Sequence, residues 1–335
     1  MKSIADWEKF WSTEDRILLA PMEGVVDAPT RDLFTRIGGL DLCVTEFIRV
    51  TDRLLPDSEF LKYAPELFHE PKGRTRAGVP VLTQLLGGQP EPMAENAARL
   101  AELGSYGIDL NFGCPAKTVN RHDGGAALLR NPHRIHDVVS AVRRATPAHL
   151  PVSAKVRLGF DHKDHHVEIA QAAQAGGAMW LTVHARTRDE GYRPPAHWEY
   201  IARMRESVGI TVIANGEIWT EEDVVRAREV SGCRHVMIGR PLMTSPDLAR
   251  VVKGLGPKAD WSEVSEWLRE FALLSESFRH EHYAVCRVKQ LLRSLGKRFT
   301  EAGPLFERIK TLERLPPMLA AIAERAQPVA AELSA

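Results

Sequence analysis

Cys114 stands in the run Asn111-Phe112-Gly113-Cys114-Pro115, just past a short apolar segment rather than inside one. Gly113 and Pro115 tighten the chain around it. A cysteine packed in a core is usually inert. Cys43, within an apolar run, fits that description, and Cys233 and Cys286 are read as structural too. Cys114 instead has the placement of a working thiol. Similar endings recur along the chain. Short apolar runs finish on Met22 and Glu23, Glu46, Gln84, Asn111, Lys155, His184, Asn215, and Gly239 with Arg240. One polar residue at the end of a strand is routine. Eight such endings in succession describe groups gathered at one mouth, able to hold a polar cofactor and move protons. Asn215-Gly216-Glu217 and Gly239-Arg240 suit a phosphate. Glycine lets backbone N–H groups approach phosphate oxygens, and an arginine adds charge-assisted contacts. A ring attached to that phosphate would lie near Lys155 and Gln84.

The apolar runs fall at 17–21, 42–46, 79–84, 107–111, 152–155, 180–184, 211–215 and 235–238. Longer amphipathic stretches separate them. Met93, Ala97 and Leu100 recur at helical spacing, as do Ile135, Val138 and Val142. Eight strand–helix units predict an α/β chain folded as a closed parallel TIM (β/α)8 barrel; an open doubly wound sheet is the competing fold. In such barrels the active site lies where the strands end, and the last two loops often bind phosphate. The alternation stops at 254–260, Gly-Leu-Gly-Pro-Lys-Ala-Asp, which reads as a linker. Helices are expected at 261–280, 283–297, 304–314 and 317–333. The organisation is therefore an N-terminal extension over 1–15, a barrel over 16–253 and a small C-terminal helical bundle over 254–335. In the extension, Trp7, Phe10 and Trp11 read either as a docking stripe or as part of a frayed helix.

Composition narrows the class. Apolar residues make up 44% and charged residues 26% of the 335, as in soluble globular proteins. No apolar run approaches the ~18 residues of a membrane span, and the first residues lack the apolar core of a secretory leader. No membrane partner is expected, and the cytoplasm is the default location. The four cysteines are widely spaced, without the spacing of zinc ligands, so no metal is expected. Nothing suggests an oligomeric partner. The 44 basic and 44 acidic residues cancel, so any nucleic-acid contact must come from a local patch. Two patches stand out. Residues 287–298 carry five basic side chains and no acid, with Val288, Leu291, Leu292 and Leu295 at helical spacing. Arg287, Lys289 and Arg293 are expected on an outward or flanking face. Arg186, Arg188, Tyr192 and Arg193 form the second patch, with Tyr192 available for stacking.

The runs Leu19-Ala20-Pro21-Met22-Glu23-Gly24, Asp109-Leu110-Asn111-Phe112-Gly113-Cys114-Pro115, Lys155-Val156-Arg157, His184-Ala185-Arg186-Thr187-Arg188, Asn215-Gly216-Glu217-Ile218 and Gly239-Arg240 together resemble the tRNA-dihydrouridine synthases. Thr45-Glu46-Phe47-Ile48-Arg49-Val50 and Arg287-Val288-Lys289-Gln290 are similar to the bacterial DusC subfamily, as is the run at 148–153. The resemblance implies an FMN-dependent barrel with NADPH (or NADH) as reductant. It implies reduction of the C5–C6 bond of a D-loop uridine in tRNA, at position 16. On the matching positions it implies that Pro21, Met22, Glu23, Gln84, Lys155, Asn215, Gly216, Glu217, Gly239 and Arg240 hold FMN. Cys114 is then the proton donor. Asn111, His184, Arg186 and Tyr192 would meet the uracil or nearby RNA. Arg49, Arg287, Lys289 and Arg293 would orient the tRNA. Phe112 departs from the family pattern, and a longer basic segment fills 70–79. Two rival readings share these residues. One is an FMN barrel acting on a free pyrimidine-like molecule, which would not need the basic helical appendage. The other is a tRNA-binding protein without catalysis, which would not need Cys114 and Lys155.

Overall fold

The computed structural model describes residues 3–70 and 72–325. Its nine strands are β1 (Ile17–Leu19), β2 (Leu42–Val44), β3 (Ile48–Arg49), β4 (Val81–Leu86), β5 (Ile108–Asn111), β6 (Val152–Arg157), β7 (Trp180–His184), β8 (Thr211–Asn215) and β9 (His235–Ile238). All their pairings are parallel. β1 pairs with both β2 and β9, and β2 pairs with β4. Eight strands therefore close a ring in the order β1-β2-β4-β5-β6-β7-β8-β9. The ring is the expected TIM barrel, and closure excludes the open doubly wound sheet. β3 is an added two-residue ladder on β4, pairing Ile48 with Leu85 and Arg49 with Leu86. That partner carries β4 two residues beyond the expected end at Gln84. Its start moves inward as well, because Pro80 has no N–H to give a ladder.

The chain parts into two compact units, Met1–Ala28 with Leu40–Gly239 and Pro29–Gly39 with Arg240–Ala335. The first unit holds the ring. Alternate side chains of each strand point inside it. Leu18, Leu42, Leu82, Trp180, Ile213 and Met237 make an apolar layer there, joined by Trp7 and Trp11 from outside the strands. Those two tryptophans ride on the helix Ile4–Thr13. Ser3 starts it with a capping box. Its Oγ accepts from the Asp6 N–H at 3.2 Å, and the Asp6 carboxylate accepts from the Ser3 N–H at 3.1 Å. Trp7 and Trp11 pack on Trp180 with ring centroids 5.2 and 5.0 Å away, and Trp11 lies 4.9 Å from His235. Trp180 and His235 are the first residues of β7 and β9, so this helix seals the N-terminal end of the barrel. With Trp7 only 1% exposed and Trp11 6%, the extension is neither a docking stripe nor a frayed end. Burial pulls His235 down to about 4, so it stays neutral and its Nδ1 accepts the Arg16 N–H at 3.1 Å.

The second unit contains the helices Trp261–Phe278, Glu281–Leu295, Ala302–Ile309 and Leu315–Arg325. The expected end of the last helix, 326–333, lies outside the described residues. Asp260 ends the linker by accepting the Glu263 N–H at 2.9 Å, an N-cap. His280 caps the next helix in the same way, through the Tyr283 N–H at 3.1 Å. Val288, Leu291, Leu292 and Leu295 are buried as expected. Arg287 departs from expectation. It is only 6% exposed. Its guanidinium donates to Thr30 Oγ1 at 2.8 Å and to Gln290, and it sits 5.6 Å from the Phe271 ring. The helical period explains this, because Arg287 lies one turn before Leu291 on the buried stripe. Lys289 is half-buried and donates to the Leu312 carbonyl at 2.7 Å. Arg293 is exposed, over Phe306 at 4.7 Å. Cys43 and Cys233 are buried, whereas Cys286 is exposed and does not serve as packing. No helix among the described residues is long and apolar enough to cross a membrane.

The tryptophan seal predicts a stability cost. Trp7→Ala should lower the unfolding free energy by about 3 kcal/mol or more, the usual range for a buried Trp cut to Ala. Urea denaturation checks this, and an unchanged midpoint would show that the helix contributes nothing to the barrel.

Candidate active site

Above the apolar layer the barrel interior turns polar. The inward positions are Gln84 on β4, Asp109 and Asn111 on β5, Ser153, Lys155 and Arg157 on β6, His184 on β7 and Asn215 on β8. Strand register sets Gln84 opposite Asp109, Asp109 opposite Ser153, Asn111 opposite Lys155, and His184 opposite Asn215. Two hydrogen-bonded chains result. In the first, Ser153 Oγ and Gln84 Nε2 each donate to Asp109 at 2.6 Å, and Asn111 Nδ2 donates to Gln84 Oε1 at 2.8 Å. Asn111 Oδ1 accepts the N–H groups of Gly113 and Cys114, both at 2.9 Å. Asn111 is thus committed to shaping the cysteine loop. In the second, Asn215 Nδ2 donates to the Met237 carbonyl at 2.8 Å. That turns Asn215 Oδ1 toward Lys155 Nζ at 3.2 Å and His184 Nδ1 at 3.1 Å. Because Oδ1 can only accept, His184 carries its proton on Nδ1 and keeps a lone pair on Nε2.

Burial and charge set the protonation states. Burial pulls His184 well below its ordinary range, and Arg157 and Lys155 push the same way. The ring is neutral near pH 7. Burial, helped by Arg157, brings Lys155 down to about 8. Its one hydrogen bond among the described residues goes to the Asn215 amide, so this buried amine has no carboxylate partner in contact. Burial raises the Cys114 thiol. The Glu23 carboxylate adds to that, while a backbone hydrogen bond involving Ala116 and the Arg157 and Arg49 charges oppose it. The balance keeps the thiol protonated, as a proton donor requires. The side chain is 9% exposed and packs with Leu86 and Val119.

Arg157 is a site residue that the motif Lys155-Val156-Arg157 contains but that was not singled out. It is 3% exposed. Its Nε donates to the Gly113 carbonyl at 2.8 Å, and its NH1 donates to the carbonyls of Thr187 and Gly191 at 3.1 and 2.9 Å. It thereby ties the cysteine loop to the loop carrying Tyr192, with its charge 5.1 Å from the Tyr192 ring. Tyr192 is half exposed and meets His184 edge-on at 5.7 Å. The two-residue period from Lys155 was the available signal. The same period marks Asp109, two before Asn111, and Ser153, two before Lys155. Arg186 is a correction. It is fully buried and ion-paired to Glu217, and its Nε donates to the Arg193 carbonyl at 2.6 Å. It belongs to the barrel wall, not to a basic surface. Arg49, in contrast, is exposed at the end of β3.

The loops after β8 and β9 are packed closely at their glycines. A Cβ on Gly239 would lie 3.3 Å from both Ala20 Cβ and Met22 Sδ, so any larger residue there must push a neighbour aside. Gly216 has φ +109°, a conformation other residues avoid, and its missing Cβ faces the His184 ring at 3.4 Å. Glu217 follows at φ 58°, held there by Arg186 and by the Trp219 indole N–H at 2.9 Å. Pro21 and Met22 are half-buried and Glu23 is exposed. Arg240 begins the short helix Arg240–Thr244 directly after Gly239. A buried amine, a neutral imidazole and a protonated thiol at the strand ends together suit an anionic, ring-bearing cofactor and a proton-coupled reduction.

Comparison with known proteins agrees. The family model described as dihydrouridine synthase matches residues 18–312. A tRNA-dihydrouridine(16) synthase of Pseudomonas putida is 51% identical over 300 residues, covering 88% of this chain and 92% of that protein. The enzyme of the same name from Escherichia coli O157:H7 is 47% identical over 308 residues, covering 92% and 97%. Among solved structures, a 2-naphthoyl-CoA reductase complex matches 71% of this chain and 50% of its own, with a TM-score of 0.55 and 10% identity. An old yellow enzyme homologue from Zymomonas mobilis matches 75% and 92%, with a TM-score of 0.51 and 14% identity. At such identity the structures speak for the barrel fold alone.

The buried amine predicts a pH signature. A lysine depressed to about 8 holds fewer protons folded than unfolded between about 8 and its ordinary value near 10.4. In that window the unfolded state binds the extra proton, so stability rises with pH. Apo protein should therefore gain stability from pH 7.5 to 10 relative to Lys155→Met, which should be the more stable of the two at pH 7.5. Paired urea titrations at the two pH values check this; parallel curves would mean that the amine is solvated.

Proposed function

The chain belongs to the dihydrouridine synthase family, and from that premise we propose that it reduces uridine 16 in the D-loop of tRNA, with FMN as cofactor and NADPH as reductant, in the cytoplasm. The observation that carries this reading is Cys114: a buried thiol kept protonated, on a loop pinned by Asn111 and Arg157, at the mouth of a barrel whose interior is cationic. Pro21, Met22, Glu23, Gln84, Lys155, Asn215, Gly216, Glu217, Gly239 and Arg240 are the residues proposed to hold FMN. Bound there, FMN supplies a hydride equivalent for C6 of the uracil ring. The C4 carbonyl makes C6 the electrophilic carbon and leaves C5 to take a proton. Cys114 gives that proton from Sγ and regains one from solvent afterwards. Lys155 places positive charge against the cofactor and favours its anionic form. His184, whose Nε2 faces Arg186 NH1 at 3.5 Å, is proposed to lie against the uracil edge. Tyr192, held by Arg157, is placed to stack on an unpaired base. A base must leave its neighbours to enter such a mouth, which costs a few kcal/mol and least for a loop nucleotide. Arg49, Lys289 and Arg293 are proposed to meet the phosphate backbone. Arg186 and Arg287 act from within, as braces. The family and the intact thiol site leave neither a free pyrimidine nor a catalytically silent role favoured.

Two experiments test this. Cys114→Ala should retain flavin that NADPH still reduces, while reoxidation by unmodified tRNA falls about 10²-fold or more, the contribution of a positioned general acid. Normal reoxidation would remove Cys114 from the role. Expression in cells lacking every dihydrouridine synthase should restore dihydrouridine at position 16; modification only at 17, or only at 20 or 20a, would overturn the site assignment and leave the enzyme class intact.

A further inference from the structure

Asn and Gln side chains present a donor at one corner and an acceptor at the other, and the two flipped states have nearly the same shape. Shape alone therefore cannot choose between them. In this barrel a polarity sequence makes the choice. The N–H groups of Gly113 and Cys114 can only donate, and both meet Asn111 Oδ1. Asn111 Nδ2 must then face Gln84, which answers with Oε1. Gln84 Nε2 must in turn find an acceptor, and it meets Asp109 Oδ2. The sequence ends there, on a carboxylate that in its ionised form can only accept; burial opposes that form, while Gln84, Ser153 and the charge of Lys155 favour it. The other carboxyl oxygen is held by Ser153 Oγ. The Gln84 backbone is fixed separately, its N–H donating to Thr45 Oγ1 at 3.0 Å. Gln84 is fully buried and Asp109 1% exposed, so water does not substitute for a lost partner.

We infer that Asp109 is a positioning residue for the proton-donor loop, enforcing through Gln84 and Asn111 the one amide orientation that holds the Gly113 and Cys114 N–H groups. Without a fixed acceptor at 109, Gln84 is free to flip. Its NH2 would then face the Asn111 NH2, donor against donor. Asn111 would flip in response and turn its own NH2 on the loop, releasing both N–H groups and Cys114 with them. The inference rests on Cys114 as the proton donor, but the polarity argument itself concerns only the loop.

The test compares Asp109→Leu, which removes the acceptor while keeping the branch at Cγ, with Asp109→Asn. The asparagine can accept from Gln84 through its oxygen, but the Ser153 hydroxyl satisfies either of its flips, so it biases Gln84 less firmly than the carboxylate does. Hydrogen–deuterium exchange over 112–116, read on protein without flavin, should be about tenfold faster in the leucine variant and lie between that and wild type in the asparagine variant. At saturating FMN, reduction by NADPH should slow less than reoxidation in both, since Gln84 is also proposed to hold FMN. Reoxidation by unmodified tRNA should fall about 10²-fold in the leucine variant, the scale of an ångström-sized misplacement, and less in the asparagine variant. In a Cys114→Ala background the leucine substitution should cost nothing more, since a double-mutant cycle isolates residues acting through one group. Unchanged exchange, equal slowing of reduction and reoxidation, or an undiminished effect in the Cys114→Ala background would each overturn the inference. If Cys114→Ala alone is reoxidised normally, the donor assignment fails while the exchange result still decides the polarity sequence. Should the leucine variant not fold, Asp109→Thr serves instead. Its hydroxyl satisfies either flip of Gln84, so exchange over 112–116 should still quicken; protection as in wild type would overturn the inference.

Discussion

Three cationic side chains, Lys155, Arg157 and Arg186, share the upper interior of the barrel, and the electrostatics of the site follow from how each is answered. Arg186 is neutralised by Glu217. Arg157 donates to three backbone carbonyls. Lys155 donates to an amide oxygen, with the charge of Asp109 acting to raise it. The positive charges of this interior interact strongly where water is scarce. That field depresses His184 together with burial, and it adds to the depression of Lys155 itself. It should also lower the thiol of Cys114, yet burial and Glu23 outweigh it. The same mouth can thus favour an anionic ring and still keep a protonated acid beside it. A site built only on positive charge would have turned the thiol into a thiolate.

Such a mouth is tolerable because the other end of the barrel is dry. Its lower layer is aliphatic and aromatic, sealed by Trp7 and Trp11 against Trp180. Apolar burial there offsets the cost of holding buried cationic groups above. The two ends also differ in rigidity for a physical reason. At the bottom, packing fixes positions through shape. At the mouth, hydrogen-bond polarity fixes them: Asn111 is set by N–H groups that can only donate, Asn215 by a carbonyl that can only accept, and Gln84 and His184 follow from their neighbours.

The barrel was legible in the sequence because parallel strands buried on both faces read as apolar runs, and because their ends carry the site. Cys114, Lys155, His184 and Asn215 were visible as interruptions of those runs. The strand limits were less legible. β4 runs past Gln84 because Leu85 and Leu86 find β3, a two-residue partner too short to leave a pattern of its own. Asp109 and Ser153 are hard to read from the sequence because they lie inside their strands rather than at the ends, where only the two-residue period from Asn111 and Lys155 points to them. Arg186 and Arg287 failed for a different reason. A basic residue in a basic run looks like surface, but each has partners distant in sequence, Glu217 for one and Thr30 for the other. Only the folded chain brings those partners near. The same holds for Arg74 in the basic segment 70–79, whose Nε donates to the Tyr106 hydroxyl at 2.7 Å.

Those buried arginines bear on how a chain of zero net charge meets an RNA. Counting basic residues in a run overstates the positive surface, because Arg186, Arg287 and Arg157 spend their donors inside. What remains outside is smaller: Arg49 at the rim of the barrel, exposed Arg193 and half-buried Arg188 near half-exposed Tyr192, and exposed Arg293 and Lys297 with half-buried Lys289 on the helical unit. Each neutralised phosphate contributes its own counterion release, so fewer exposed arginines mean a shallower dependence of affinity on salt. On the proposed reading, selection among uridines falls to these exposed residues, because every uridine offers the interior the same ring. That reading separates chemistry from choice of position: the polar chains that hold Cys114 lie inside, and the candidate RNA contacts lie on the surface.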